Sequence, residues 1–315
     1  MSVDEKHYLS SGSAFLAAAQ ARALHRREQH ALHGLRLGTQ AMPVVAPSPL
    51  ANLLHAGRLV LSRWRGALPG QGLSLLKIAE VAVLSGCAVV FIACLGFAID
   101  GFSAQEARLL PGWVVSLFGV ITLIGSSAYA TLLAGAAMLL PATLASPVRP
   151  PRVNTGLRVL GERGLFVLAC LLGSGLASLM VKTLAGRARP QFLDEAGAFA
   201  FQGFGFGSQV TSFPSGHATT AFALAMALSL LMPGWRRMLF GVAALVGLSR
   251  VAVGAHYPSD VLVGMCVGIV TSYGLACLFA RHGVAFRHGT SRLIAHGQGT
   301  IVPAIRALAR AGARR

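Results

Sequence analysis

The sequence predicts an all-α, polytopic membrane protein with six transmembrane helices in a bundle. Three observations predict it. Hydrophobic residues make up 54% of the 315 residues and charged residues only 12%, against about 25% charged in a soluble domain. Six apolar runs are long enough, or nearly so, to cross a bilayer, which takes about 20 residues. Lys and Arg sort to one side of those runs.

The runs fall at residues 78–99, 114–140, 164–181, 216–232, 238–255 and 259–280. The third, fourth and fifth are short, and polar residues at their ends suggest that those ends meet a polar site. Small residues recur in the second run (Gly125, Ser126, Ser127, Ala128) and in the third (Gly173, Ser174, Gly175). They let transmembrane helices approach closely. With the N-terminus placed inside, inner segments carry 22 of the 27 basic residues and outer ends carry five: Arg108, Lys182, Arg187, Arg189 and Arg250. This orientation puts both termini in the cytoplasm of a multi-pass protein of the cell (inner) membrane. The net charge of +17 then reads as a topology signal and an attraction to anionic lipid. No basic stripe with interleaved aromatics appears, so nucleic acid is not an expected partner.

The chain divides into a basic segment 1–72, a membrane domain 73–282 and a basic tail 283–315. Ser13–Leu37 has apolar and basic residues at mixed helical spacing, and suits either a surface-lying amphipathic helix or a poorly ordered tail. The Pro-rich Ala41–Ala51 would end such a helix. The tail from Thr300 to Arg315 can rest on the inner leaflet. Met1–Gln20 lacks the compact apolar core of a cleavable signal peptide. Cys87, Cys94, Cys170, Cys266 and Cys277 all sit in apolar runs without metal-ligand spacing, and read as small core residues.

Polar residues interrupt this pattern at three places. "KTLAGRARP" sets Lys182, Arg189 and Pro190 at the outer end of the third run. "PSGH" sets Pro214, Ser215, Gly216 and His217 at the outer start of the fourth. "SRVAVGAHYPSD" sets Ser249, Arg250, His256 and Asp260 across the turn from the fifth to the sixth. Alternating spans bring all three to one extracytoplasmic face. Ionisable residues at membrane depth are functional candidates. Three fixed cations can surround a phosphate and neutralise charge spread over its oxygens. Ser215 and Gly216 open a helix whose free N–H groups favour an anion. Asp260, four residues after His256, can meet one imidazole nitrogen and leave the other free to attack.

Together the segments resemble the type 2 phosphatidic acid phosphatase superfamily, whose pattern is KxxxxxxRP, PSGH and SRxxxxxHxxxD. All eleven prescribed positions are present in order: Lys182, Arg189, Pro190, Pro214, Ser215, Gly216, His217, Ser249, Arg250, His256 and Asp260. The resemblance covers roughly residues 75–282. It implies a metal-independent phosphatase without cofactor, acting through a phosphohistidine. His256 would be the nucleophile and Asp260 its orienting partner. His217 would protonate the leaving oxygen and then activate water. Lys182, Arg189, Arg250, Ser215 and the Gly216 backbone would bind phosphate, with Pro190, Pro214 and Ser249 structural.

Singly, each residue has a plainer reading. His217 can be an interfacial histidine, Lys182 and Arg250 snorkelling cations, and Asp260 a helix cap. As an ordered set those readings fail together. Arg187 falls outside the pattern and reads as a snorkelling helix-end cation. The loop 191–213 holds six phenylalanines among glycines; it suits a mobile apolar lid at the lipid's way in, and no strand precedes "GFGFG" to make it a dinucleotide loop. The expected substrate is a membrane lipid phosphate: a polyprenyl diphosphate, phosphatidate, phosphatidylglycerophosphate or lipid A phosphate. Two alternatives stand beside hydrolysis: phosphoryl transfer between membrane lipids, and non-catalytic lipid or phosphate transport.

Overall fold

Five of the six apolar runs fall mainly in one helix each, and the second in two, in the computed structural model, which describes residues 48–65, 75–145, 149–204, 207–288 and 293–296. In chain order the helices are α1 (Pro49–Arg65), α2 (Leu75–Arg108), α3 (Gly112–Leu123), α4 (Ser127–Leu144), α5 (Pro151–Ala185), α6 (Gly216–Leu231), α7 (Arg236–Ala252) and α8 (Pro258–Arg281). A hairpin follows, with β1 (Phe286–His288) antiparallel to β2 (Leu293–Ala295). Ser13–Leu37 and Thr300–Arg315 lie outside the described residues.

Among the described residues, three stretches are long and apolar enough to cross a membrane: Gly112–Leu144, Pro151–Ala185 and Pro258–Arg281. The second expected span is not one helix. It breaks at Ile124–Ser126, where N–H groups bond three residues back instead of four. A Cβ on Gly125 would stand 2.4 Å from Val246 Cγ1 and 3.4 Å from the His217 carbonyl oxygen. The break therefore sits against the start of α6. The third run extends well beyond its apolar part. Pro150 and Pro151 set its start, where a helix tolerates proline, and charged residues up to Arg163 continue it without a breaker.

The fourth run does not face lipid. Eleven of the sixteen residues of α6 are buried, and α5, α7 and α8 pack against it. Its alanines at 218, 221, 223, 225 and 227 keep it thin. On α8 the facing positions are Gly264, Gly268, Ser272 and Ala276, one turn apart and all buried. A Cβ on Gly264 would come within 2.7 Å of the Ser215 carbonyl oxygen. One on Gly268 would come within 2.5 Å of the Thr219 carbonyl oxygen. Lipid is as apolar as the protein interior, so close packing, not the hydrophobic effect, holds such helices together. Outward faces carry the large apolar residues, among them Phe91, Leu132, Leu133, Leu172, Leu176 and Met180. Of the cysteines, only Cys170 is buried; Cys87 and Cys94 are exposed on α2.

At the opposite end from the three motifs, Glu162 gathers the remaining pieces. Its carboxylate pairs with Arg63 of α1 at 2.9 Å and accepts the Ala285 N–H at 3.3 Å. Trp64 of α1 stacks on His282 with ring centroids 4.2 Å apart. Val284, Ala285 and Phe286 are fully buried, and Phe286 meets Phe166 edge-on. The Pro-rich linker thus gives way to helix at Pro49, and chain beyond His282 packs into the bundle.

Gly268→Ala should cost about 1–3 kcal/mol through overpacking and lower the melting temperature in detergent. Gly274→Ala, on the same helix with nothing within 4 Å, should leave it unchanged. Equal melting of the two variants would contradict the close α6–α8 contact.

Candidate active site

The first motif begins where α5 ends. Gly186 adopts a left-handed conformation (φ 58°, ψ 42°) and its N–H caps the Lys182 carbonyl; glycine suits this C-cap. The chain then runs extended through Arg187–Arg189, and the Phe/Gly loop is stitched to it. Ala188 N–H donates to Ala200 O, Gln202 N–H to Gly186 O, Arg189 N–H to Gln209 O and Ser212 N–H to Arg187 O, all at 3.0–3.2 Å. Gly205 and Phe206, central to the expected lid, lie outside the described residues. Phe204 beside them is 72% exposed.

The second motif starts α6. Pro214 is buried, Ser215 is the N-cap and Gly216 the first helical residue. The Ser215 N–H donates to the Asp260 carbonyl at 3.0 Å. It is therefore not free for an anion, as the sequence suggests for the helix start. The next N–H groups, from Gly216 to Ala218, have no backbone acceptor outside the helix among the described residues. Thr219 packs by donating its hydroxyl to the Ser215 carbonyl at 3.0 Å.

The third motif spans the α7–α8 turn. Ser249 is fully buried and bonds back to Val246 O at 2.7 Å. The His256 N–H donates to Arg250 O at 3.2 Å, and Gly254 (φ 66°) makes the turn. Pro258 opens α8. Asp260 Oδ2 caps that helix by accepting the Tyr257 N–H at 2.9 Å. The same oxygen accepts the Ser212 hydroxyl at 2.6 Å and stands 3.6 Å from His256 Nδ1. That last distance is a charge contact just past hydrogen-bond length. Burial pushes the His256 imidazole below its ordinary value, against the opposing pull of Asp260.

The three motifs converge. His217 interacts electrostatically with Arg250, His256, Arg189 and Lys182, and Lys182 with Arg189, Asp260 and Arg250. Lys182 Nζ donates to Thr211 O at 2.6 Å, and Arg250 Nη1 to Thr122 Oγ1 at 2.8 Å. The bond from Arg250 ties the end of α3, just before its break, to the site. No carboxylate lies within ion-pair distance of Lys182, Arg189 or Arg250 among the described residues. Arg189 Nε, Arg250 Nε, Ser215 Oγ and His256 Nδ1 are all buried without a hydrogen-bond partner.

Arg187 is not a snorkelling cation. Its side chain is 1% exposed and lies between two buried carboxylates, Asp260 at 2.6 Å and Asp100 at 2.8 Å. Desolvating a guanidinium costs several kcal/mol unless it is fully paired, and here it is. It also donates to Ser259 Oγ at 2.7 Å and to Ala198 O. The Tyr257 ring covers it at 4.2 Å, with Phe201 and Phe199 beyond. Sequence reading missed both Asp100 and Ser212. The signal for Asp100 was present: an acidic residue directly after an apolar run, to be matched with an unassigned arginine.

A cavity of about 830 Å³ lies elsewhere, between α1, α4 and α5, lined by residues such as Leu53, Leu139 and Leu157. None of the motif residues lines it.

Comparison with known proteins gives concordant results. Residues 163–283 match the PAP2 superfamily, a span that takes in all eleven motif positions. The lipid A 1-phosphatase of Rhizobium johnstonii is 41% identical over 124 residues, which cover 39% of this chain and 51% of that protein. The Rhizobium etli lipid A 1-phosphatase is 40% identical over 124 residues, covering 39% and 53%. Undecaprenyl-diphosphatase BcrC of Bacillus subtilis is 42% identical over 64 residues, covering 20% and 32%. The chain thus spans about half the length of these two Rhizobium lipid A 1-phosphatases. Among solved structures, Aquifex aeolicus LpxE aligns with a TM-score of 0.41 at 22% identity, over 55% of this chain and 92% of that one. The PAP2 type phosphatidylglycerolphosphate phosphatase from Bacillus subtilis aligns with a TM-score of 0.38 at 21% identity, over 72% and 94%.

The unpaired cations predict an anion site. Losing one charge-assisted hydrogen bond costs about 1.5–3 kcal/mol. Arg189→Ala and Arg250→Ala should therefore each weaken orthovanadate binding about ten-fold or more. Arg236→Ala, exposed at the start of α7, should leave it within two-fold (roughly the worth of a surface charge). Equal effects would argue against the cluster as the site.

Proposed function

We propose that this chain, whose residues 163–283 form a PAP2 superfamily domain, is a membrane phosphatase that removes phosphate from a lipid through a phosphohistidine. One observation carries the reading. Three cations without carboxylate partners surround two histidines, and Arg189 Nε, Arg250 Nε and Ser215 Oγ beside them are buried without hydrogen bonds. Each buried polar atom left unpaired costs about 1–3 kcal/mol, and a phosphate group would pair with the donors among them.

In the proposed cycle His256 attacks with Nε2, because Nδ1 faces Asp260. Its lowered proton affinity keeps it neutral near pH 7. The nitrogen–phosphorus bond forms as the lipid oxygen leaves, and His217 gives that oxygen a proton. Water then gives its proton to His217 and its oxygen to phosphorus. The nitrogen–phosphorus bond breaks and inorganic phosphate departs. Lys182, Arg189, Arg250, Ser215 and the N–H groups at Gly216 and beyond stabilise charge on the phosphoryl oxygens. These fixed positive groups supply the neutralisation, so the reaction is proposed to be metal-independent. Pro190 and Pro214 are buried and shape the turns, and Ser249 is buried within α7.

The sorting of Lys and Arg supports six spans with cytoplasmic termini and an extracytoplasmic site in the inner membrane. The longest alignments at about 40% identity are to lipid A 1-phosphatases, so a lipid A 1-phosphate is the first proposed substrate. Undecaprenyl diphosphate is the second, from the shorter BcrC alignment. The lipid would reach the site laterally, past the exposed Phe204.

Protein purified in detergent with EDTA should release phosphate from one member of a panel of lipid A 1-phosphate, undecaprenyl diphosphate, phosphatidate and phosphatidylglycerophosphate. His256→Ala should cut the rate about 10³-fold or more. Activity surviving in that variant, or loss of activity in EDTA, would sink the mechanism. Phosphate appearing on a second lipid instead of in solution would make it a transferase, and uptake into vesicles without release a transporter.

The pH profile of kcat/KM should be a bell. Because burial lowers the His256 value, its acid limb should fall below the ordinary histidine value of about 6.5. An acid limb above that would contradict a buried neutral nucleophile. Phe204→Ser should slow turnover of long-chain substrate more than of a short soluble analogue; equal losses would exclude a part in lipid access.

A further inference from the structure

We infer that Arg187 and Asp100 are a positioning pair for His256, acting through Asp260, and the inference rests on the phosphohistidine reading above. Neither residue belongs to the eleven motif positions, and Asp100 lies outside the PAP2 match at residues 163–283.

The geometry is that of a relay. Asp260 divides its two oxygens. Oδ2 serves the Tyr257 N–H, the Ser212 hydroxyl and, at 3.6 Å, His256 Nδ1. Oδ1 is held by Arg187 Nη1. The other prong of the guanidinium, Nη2, is held by Asp100 Oδ2 at 2.8 Å. Asp100 also accepts the Ser259 N–H at 3.1 Å and the Ser259 hydroxyl. It therefore fixes both Arg187 and the first turn of α8, on which Asp260 rides.

A second observation shows that α2 is brought in closely for this purpose. Gly96 lies one turn before Asp100. A Cβ there would stand 2.9 Å from Ser259 Cβ and 3.2 Å from Asp100 Oδ2. Only the missing side chain lets α2 come near enough for its carboxylate to reach the guanidinium. The planar fork of arginine presents a separate, fixed N–H edge to each carboxylate, whereas an ammonium is a point charge.

The pair also sets the charge that His256 feels. One cation lies between two carboxylates, so Arg187 cancels only part of Asp260. The remainder opposes the burial of His256 and the cations Lys182 and Arg250 that face it, with His217 adjacent. Removing the charge of Asp100 leaves Arg187 wholly on Asp260 and weakens the pull on His256. Its proton then leaves at lower pH.

The test uses the full chain in detergent, the substrate on which wild type is active, and the variants Asp100→Asn and Arg187→Lys. Rates are expressed per orthovanadate-binding site, so that misfolded protein does not count. Both variants should lower kcat about ten-fold or more, as a misaligned nucleophile does, with KM within two-fold. Asp100→Asn should also move the acid limb of kcat/KM to lower pH. Wild-type kcat and acid limb per binding site would overturn the inference, even if the yield of folded protein fell. Asp100→Asn keeps the side-chain size and decides the matter if Arg187→Lys does not fold. Failure of the underlying reading looks different: wild type releases no phosphate from any lipid, or His256→Ala retains activity.

Discussion

One guanidinium between two buried carboxylates organises this molecule. Arg187 joins α2, the extended segment after α5, and the first turn of α8 at a single point. An unpaired charge there would cost several kcal/mol, so the three elements are held to one arrangement. Other features follow from it. The Phe/Gly loop returns to the site because its Ala198 carbonyl accepts from Arg187. Asp260 is fixed by Arg187 through Oδ1, and His256 takes its place beside Oδ2. Because Arg187 faces the acidic groups, Lys182, Arg189 and Arg250 are left without carboxylate partners. The acidic side of the site is saturated and the basic side is not.

Packing and chemistry share the same contact in the α6–α8 pair. The absent side chain of Gly264 makes room for the Ser215 carbonyl, and the Ser215 N–H bonds to the Asp260 carbonyl. Two motifs far apart in sequence meet because small residues recur at helical spacing along α8. The buried α6 is thin for the same reason. Its polar first turn packs against its neighbours, which is why Ser215, Gly216 and His217 can open an otherwise apolar helix.

Much of the fold was legible because a bilayer imposes its own length and polarity on the chain. The apolar runs proved mostly helical. What hydropathy misses is where a helix breaks or continues. The break between α3 and α4 falls at the small residues Gly125 and Ser126, whose composition suits close packing and a break equally. The charged start of α5 is polar yet helical, since Glu162 finds Arg63 and the hairpin backbone as partners. Val284–Phe286 and the Phe166 that they meet are separated by more than a hundred residues, and nothing local announces the contact. Of the site, the eleven motif positions were legible from residue type and spacing. Arg187 was misread because it falls between prescribed positions, and Asp100 was passed over because it falls between a run and a loop.

By itself the sequence determined the helical, membrane-suited character of the chain and which residues form the polar cluster. Both are written in local composition: apolar length for the helices, and ionisable residues where lipid would otherwise forbid them. Tertiary structure alone decided which cations are spent and which are left over. That depends on distances across the bundle, such as the approach of α2 at Gly96 that brings Asp100 to Arg187. Such distances are set by the shapes of packed neighbours, and no spacing along one chain contains them.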